Sequence, residues 1–94
     1  MKMRLISFSE RGARLAKRLA DVLGGESCRC GGGVSLGDWT RDAFARADAL
    51  VFVGAVGIAV RAVAPYVVSK AHDPAVVVVD ELGNHVIPLS LIHI

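Results

Sequence analysis

The chain has 94 residues, room for one small domain or a part of a larger protein. Hydrophobic residues make up 53% of it and aromatic ones only 5%, so most of the apolar content is Ala and Val, which suits buried strands and close helix–sheet packing. A net charge of +2 is too small to argue for a nucleic-acid partner, and two cysteines do not make a disulfide framework.

MRLISFS (3–9) alternates weakly and predicts a first strand. Its apolar stretch, Leu5 to Phe8, is too short for a signal-peptide core. No later run reaches the roughly 20 residues of a membrane span. The expected location is therefore the cytoplasm, with no membrane partner.

Ser9 is placed to cap the helix that follows, ERGARLAKRLADVL. Leu15, Leu19 and Leu23, with Ala16 and Val22 beside them, fall on one helical face. Arg11, Arg14, Lys17 and Arg18 lie on or beside the opposite face, which reads as a solvated surface. Gly24-Gly25 ends the helix.

ESCRC (26–30) predicts a short strand, and GGG (31–33) a break. A second helix follows in LGDWTRDAFARA, with Leu36, Trp39, Ala43 and Ala47 at helical spacing and Phe44 beside them. DALVFVG (48–54) is almost wholly apolar, as a strand buried on both faces is. IAVRAVAPYVVSK (58–70) predicts a third helix, bent or ended by Pro65. DPAVVVVD (73–80) is the strongest strand, ELGN a turn, and HVIPL (85–89) a short strand or extended exit. This order, β-α-β-α-β-α-β, predicts a three-layer α/β fold of Rossmann-like or flavodoxin-like type. A mostly parallel sheet would carry helices on both faces.

In such sheets ligands bind beyond the carboxyl ends of the strands. Gly54 and Gly57 stand where the apolar strand 48–54 turns into a helix. Glycine lets backbone approach a ligand closely, and the free amides of a helix start attract anions. Arg61, one turn further on, adds a group able to bind a carboxylate or phosphate in two-pronged fashion. The plain alternative is a tight turn with a solvated arginine. Asp80, at the carboxyl end of the Val-rich strand, is a weak candidate for catalysis, whereas Glu81 reads as a solvated turn residue. A dinucleotide site fits poorly, because G-A-V-G lacks the other glycines of that fingerprint. Cys28 and Cys30 face one side of a strand, but His72, His85 and His93 stand at no recognised metal spacing, so no metal site is expected. From the residues alone, the reading is an α/β domain with an anion site, in an enzyme or in a non-catalytic anion- or nucleotide-binding module.

DALVFVGAVGIAVRAVAPYV, followed by KAHDPAVVVVDELGNHVIPL, resembles the N-terminal region of the cobalt-precorrin-5A hydrolase (CbiG) family of anaerobic cobalamin biosynthesis. The G-A-x-G-I-A-V-R-x-x-A-P, D-P-A-V-V-V-x-D and G-x-x-V-I-P-L blocks occur in order between Gly54 and Leu89, within a resemblance that spans Leu36 to Leu89 and extends more loosely to residues 1–25. The resemblance implies a hydrolase that opens the δ-lactone of cobalt-precorrin-5A and releases acetaldehyde. It implies a corrinoid-type macrocycle edged with carboxylates as the small-molecule partner. Cobalt would be carried by that substrate, with no cofactor held by the protein. Gly54, Gly57 and Arg61 would then grip a peripheral carboxylate or stabilise an oxyanion, and Asp80 would position water. After V-I-P-L the family continues with Ser-Gly-His, paired glycines and a helix, whereas this chain reads Ser90-Leu91-Ile92-His93-Ile94. The expectation is an N-terminal domain over residues 1–89 and a truncated or non-native tail over 90–94. The central and C-terminal regions of the family would be missing partners.

Overall fold

Strand β1 (Met3–Ser7) leads to helix α1 (Glu10–Leu23), β2 (Glu26–Arg29), α2 (Leu36–Arg46) and β3 (Ala49–Val53). Helix α3 (Val56–Val63) runs into a 3-10 turn, Ala64–Tyr66, before β4 (Ala75–Val79) and β5 (Val86–Pro88). The computed structural model describes residues 2–31, 33–66 and 73–89. The tail 90–94 and the part of the expected third helix beyond Tyr66 lie outside the described residues.

The strands form one sheet in the order β2-β1-β3-β4-β5. β1, β2, β3 and β4 are mutually parallel, and β5 is antiparallel to β4. The handedness of crossovers explains the helix layout. The step from β1 to β2 runs one way across the sheet and puts α1 on one face. The steps from β2 to β3 and from β3 to β4 run the other way and put α2 and α3 on the opposite face. Two clusters follow from this. Leu5, Val51, Val53 and Val79 pack with Ala16 and Ala20 of α1. Ile6, Leu50, Phe52, Val76 and Val78 pack with Trp39, Ala43, Ala59 and Val63 of α2 and α3. All five residues of β3 are buried, as a central strand covered on both sides requires. Phe52 meets Trp39 edge to face, with ring centroids 5.5 Å apart.

Both serine caps form: Ser9 accepts from the Gly12 amide, and Ser35 from the Asp38 amide. Gly24 ends α1 in the left-handed conformation, with φ 79°. The buried stripe of α1 is centred on Gly12, Ala16 and Ala20, and Leu15 and Leu19 are only half-buried. Leu23 and Val22, expected on the core face, are 54% and 81% exposed. Small residues let the helix axis come close to the sheet, which turns the leucines to the flanks of the contact. A Cβ on Gly12 would already stand 3.4 Å from the Val53 carbonyl oxygen.

Helix α3 starts two residues earlier than the spacing suggested, at Val56, and its α-helical part ends at Val63, before Pro65. The direction of β5 follows from the shortness of its connection. Asp80 to His85 closes a tight turn in which the Asp80 amide donates to the His85 carbonyl and the Gly83 amide to the Asp80 carbonyl. A parallel return would need a far longer crossover. On the α1 face, this outer half of the sheet carries exposed apolar side chains: Val86, paired with Val79, is 63% exposed.

Candidate functional site

The sheet order changes direction between β1 and β3, whose outgoing helices α1 and α3 lie on opposite faces. In open α/β sheets that crevice, at the carboxyl ends of the strands, is where ligands sit. Ser9 and the start of α1 stand on one side of it, and Gly54 and the start of α3 on the other.

Gly54 has a packing reason for being glycine. Its φ is 156°, and a Cβ there would come within 3.1 Å of the Phe8 ring. Its amide donates to the Val79 carbonyl at 2.9 Å, which joins the ends of β3 and β4. Gly57 differs. It sits in the first turn of α3 without a positive φ, and a Cβ added there would meet nothing within 4 Å. Neither backbone nor neighbours demand glycine at this exposed position.

The start of α3 is also chemically bare. Its N-cap residue is Ala55, no side chain caps the first amides, and no acid lies in the first turn. Helices α1 and α2, by contrast, each carry a serine cap and an acidic residue there. Arg61 folds back along the helix so that its Nε donates to the Gly57 carbonyl at 3.3 Å. Among the described residues it forms no ion pair. This leaves the outer guanidinium nitrogens facing solvent above Gly57. Gly57 and Arg61 are therefore brought together on one helix face, while Gly54 and Asp80 lie at the strand ends.

The two carboxylates after β4 are divided in role. Glu81, expected to be a solvated turn residue, is half-buried, and its Oε1 accepts the Ser9 hydroxyl proton at 2.7 Å. Ser9 accepts at the same time from the Gly12 amide at 3.0 Å. One hydroxyl thus ties the β4–β5 turn to the start of α1, a link between residues 72 apart in sequence. Nothing in the local sequence signals it. The Asp80 carboxylate makes no hydrogen bond or ion pair among the described residues.

Toward the amino ends of the strands, Arg4 of β1 bonds Asp42, which also pairs with Arg46 at 3.0 Å. The Arg4 guanidinium lies 5.7 Å from the Trp39 ring centroid. The hydrogen bond from Arg4 holds the Asp42 carboxyl below its ordinary value. This cluster fastens α2 to β1 and stands away from the crevice. The two cysteines both pack toward the α2–α3 core cluster. Burial pushes the Cys28 thiol up, against the lowering effect of Arg4. No group of three or more His, Cys, Asp and Glu set to hold a metal occurs among the described residues. His72 and His93 lie outside the described residues. No helix among the described residues is long and apolar enough to cross a membrane.

Comparison with known proteins places this arrangement. Residues 38–94 match the family described as Cobalamin synthesis G N-terminal. The chain is 45% identical to the cobalt-precorrin-5A hydrolase of Salmonella typhimurium, over 90% of this chain and 27% of that protein. In structure it resembles a cobalamin biosynthesis protein G homologue from Sulfolobus solfataricus, with a TM-score of 0.78 and 31% identity over 94% of this chain. It spans 28% of that homologue, so it corresponds to little more than a quarter of either relative. The shared architecture, with its motif blocks in order along α3, β4 and β5, makes this chain a member of the cobalamin synthesis G N-terminal family.

Proposed function

We propose that the chain serves as the N-terminal part of a cobalt-precorrin-5A hydrolase, acting in the cytoplasm on the δ-lactone of cobalt-precorrin-5A with release of acetaldehyde. The observation that carries the reading is the join between sequence likeness and site. The stretch shared with the family contains the start of α3, which no side chain caps, and Arg61, which forms no ion pair among the described residues. Cobalt comes with the substrate, and the protein needs no cofactor of its own.

The chemistry follows from the groups present. Lactone hydrolysis needs water held against the ring carbonyl and donors that stabilise the oxyanion as it forms. It also needs the macrocycle held in one orientation. Arg61 binds a carboxylate on the rim of the macrocycle, the contact for which a guanidinium is best shaped. The amides of the first turn of α3 add the positive end of the helix dipole, and Gly57 lets the ligand approach the backbone. Gly54 sets the turn that aims α3. Asp80, with its carboxylate unengaged among the described residues, is assigned the holding of water, and Glu81 is already committed to Ser9. The remaining wall of the site comes from the central and C-terminal regions that make up the rest of the relatives' length.

The test is a chimera in which this chain replaces the matching segment of the Salmonella relative. Lactone opening and acetaldehyde release by the chimera, lost on Arg61→Ala, support the reading. A folded chimera with no turnover contradicts it.

A further inference from the structure

Beside Arg61 runs a surface groove that the expected site residues do not explain. It lies between α2 and α3, is lined by Leu36, Gly37, Ile58, Ala62, Pro65 and Tyr66 together with Arg61, and encloses about 480 Å³. That volume is within the range of small-molecule sites, roughly 300–1,000 Å³. The lining is apolar except for the arginine. Tyr66 is held in place by the Phe44 ring, with centroids 6.0 Å apart.

Three features make it more than a seam between helices. First, its one cation is unpaired among the described residues. The acid in the first turn of α2, Asp38, is engaged by Arg41 at 3.2 Å and does not neutralise Arg61. Second, Gly37 on the α2 side is helical, exposed and free of any neighbour closer than 3.9 Å to a Cβ placed there. Third, Gly57, one turn before Arg61 on α3, is equally unconstrained. Each of these glycines weakens a helix that nothing in the fold requires to be weak. Gly37 leaves the α2 wall of the groove low, and Gly57 leaves the surface of α3 one turn before the guanidinium bare.

We propose that the α2–α3 groove is a docking surface for the apolar face of a ring-shaped ligand with rim carboxylates, one of which Arg61 binds while Leu36, Ile58 and Tyr66 lie under the ring. This rests on the proposed function and extends it by naming a second, apolar contact surface and its partner: the flat side of the macrocycle. Charge complementarity selects the occupant. A neutral apolar helix would leave Arg61 desolvated and unpaired, at a cost, whereas an acidic macrocycle satisfies both the lining and the charge.

The experiment is a two-dimensional amide NMR titration of the 94-residue chain with dicyano-cobyrinic acid, a diamagnetic cobalt corrinoid with free rim carboxylates. Its methyl ester, which lacks the charges, is the control. Saturable shifts at Gly37, Ile58, Arg61, Ala62 and Tyr66 are expected, with affinity falling about 10-fold in Arg61→Gln, the worth of one charge-assisted contact. A weaker response to the ester is expected as well. Gly37→Leu, which fills the groove without touching the arginine, should weaken binding of acid and ester alike. Shifts confined to Ser9, Gly54 and Glu81, or no binding by the folded chain, overturn the groove proposal. The chimera's turnover tests the proposed function separately, so failure of one is distinguishable from failure of the other.

Discussion

Replacing Gly57 by alanine separates what the fold needs from what a ligand needs. The residue sits in the first turn of α3, its φ is not positive, and a Cβ there meets no atom within 4 Å. The packing cost of Gly57→Ala is therefore close to zero, and the gain is the difference in helix propensity. For an interior position that difference is about 1 kcal/mol; in a first turn about half of it is reasonable. A domain of this size shifts its Tm by about 4–8 °C per kcal/mol, so the variant should melt about 2–4 °C higher. Far-UV circular dichroism on the 94-residue chain measures this directly. The same variant should bind dicyano-cobyrinic acid more weakly than the parent, because the new methyl stands where the ligand approaches the helix. A Tm lowered by more than about 2 °C would refute the reasoning, since it would mean that the space above Gly57 is filled.

Gly25→Ala should behave in the opposite way, with Tm lowered by several degrees. A Cβ there would stand 2.8 Å from the Met3 carbonyl oxygen and 2.9 Å from Leu5 Cδ1, and the backbone oxygen of β1 cannot yield cheaply. Thr40→Val should raise stability by about 1–2 kcal/mol in urea unfolding, because it removes a fully buried hydroxyl that has no partner among the described residues and keeps the shape. Asp42 bears on acid stability. Its folded pKa is depressed, so its contribution is present above its ordinary value near 3.8 and lost as pH falls through the lower folded value. Asp42→Asn should accordingly flatten the decline of stability below about pH 4, seen as a smaller drop in Tm on acidification.

Periodicity and composition made the central strands legible. Five consecutive apolar residues in β3 and the four valines of β4 read as buried strands, and β3 is covered on both faces along its whole length. The glycine-marked turn after β3 followed from them, as did the pairing of Gly57 and Arg61, because residues four apart share a helix face. The face that α1 buries was harder to read, since leucine spacing outweighs the alanines to the eye. The axis approaches the sheet where side chains are smallest, along Gly12, Ala16 and Ala20. The Ser9–Glu81 bond and the Arg4–Asp42 bond join residues far apart in sequence, and no local pattern encodes them. The same holds for the groove. Leu36, Gly37 and Tyr66 are ordinary helix residues until the packing of α2 beside α3 brings them to Arg61. The glycines showed the reverse limit, since in sequence Gly54 and Gly57 look alike. Only the structure shows that one is crowded by Phe8 and the other by nothing in the fold.

The central claim is that Arg61 and the start of α3 hold a carboxylate of the substrate's macrocycle. The most direct test is an absorbance titration of the chain with dicyano-cobyrinic acid beside Arg61→Ala, at low and at moderate salt. Saturable binding that weakens about 10-fold in the variant, and falls with salt in the parent more than in the variant, is the predicted result. Equal binding by both proteins would contradict the claim and place the carboxylate contact on another part of the fold.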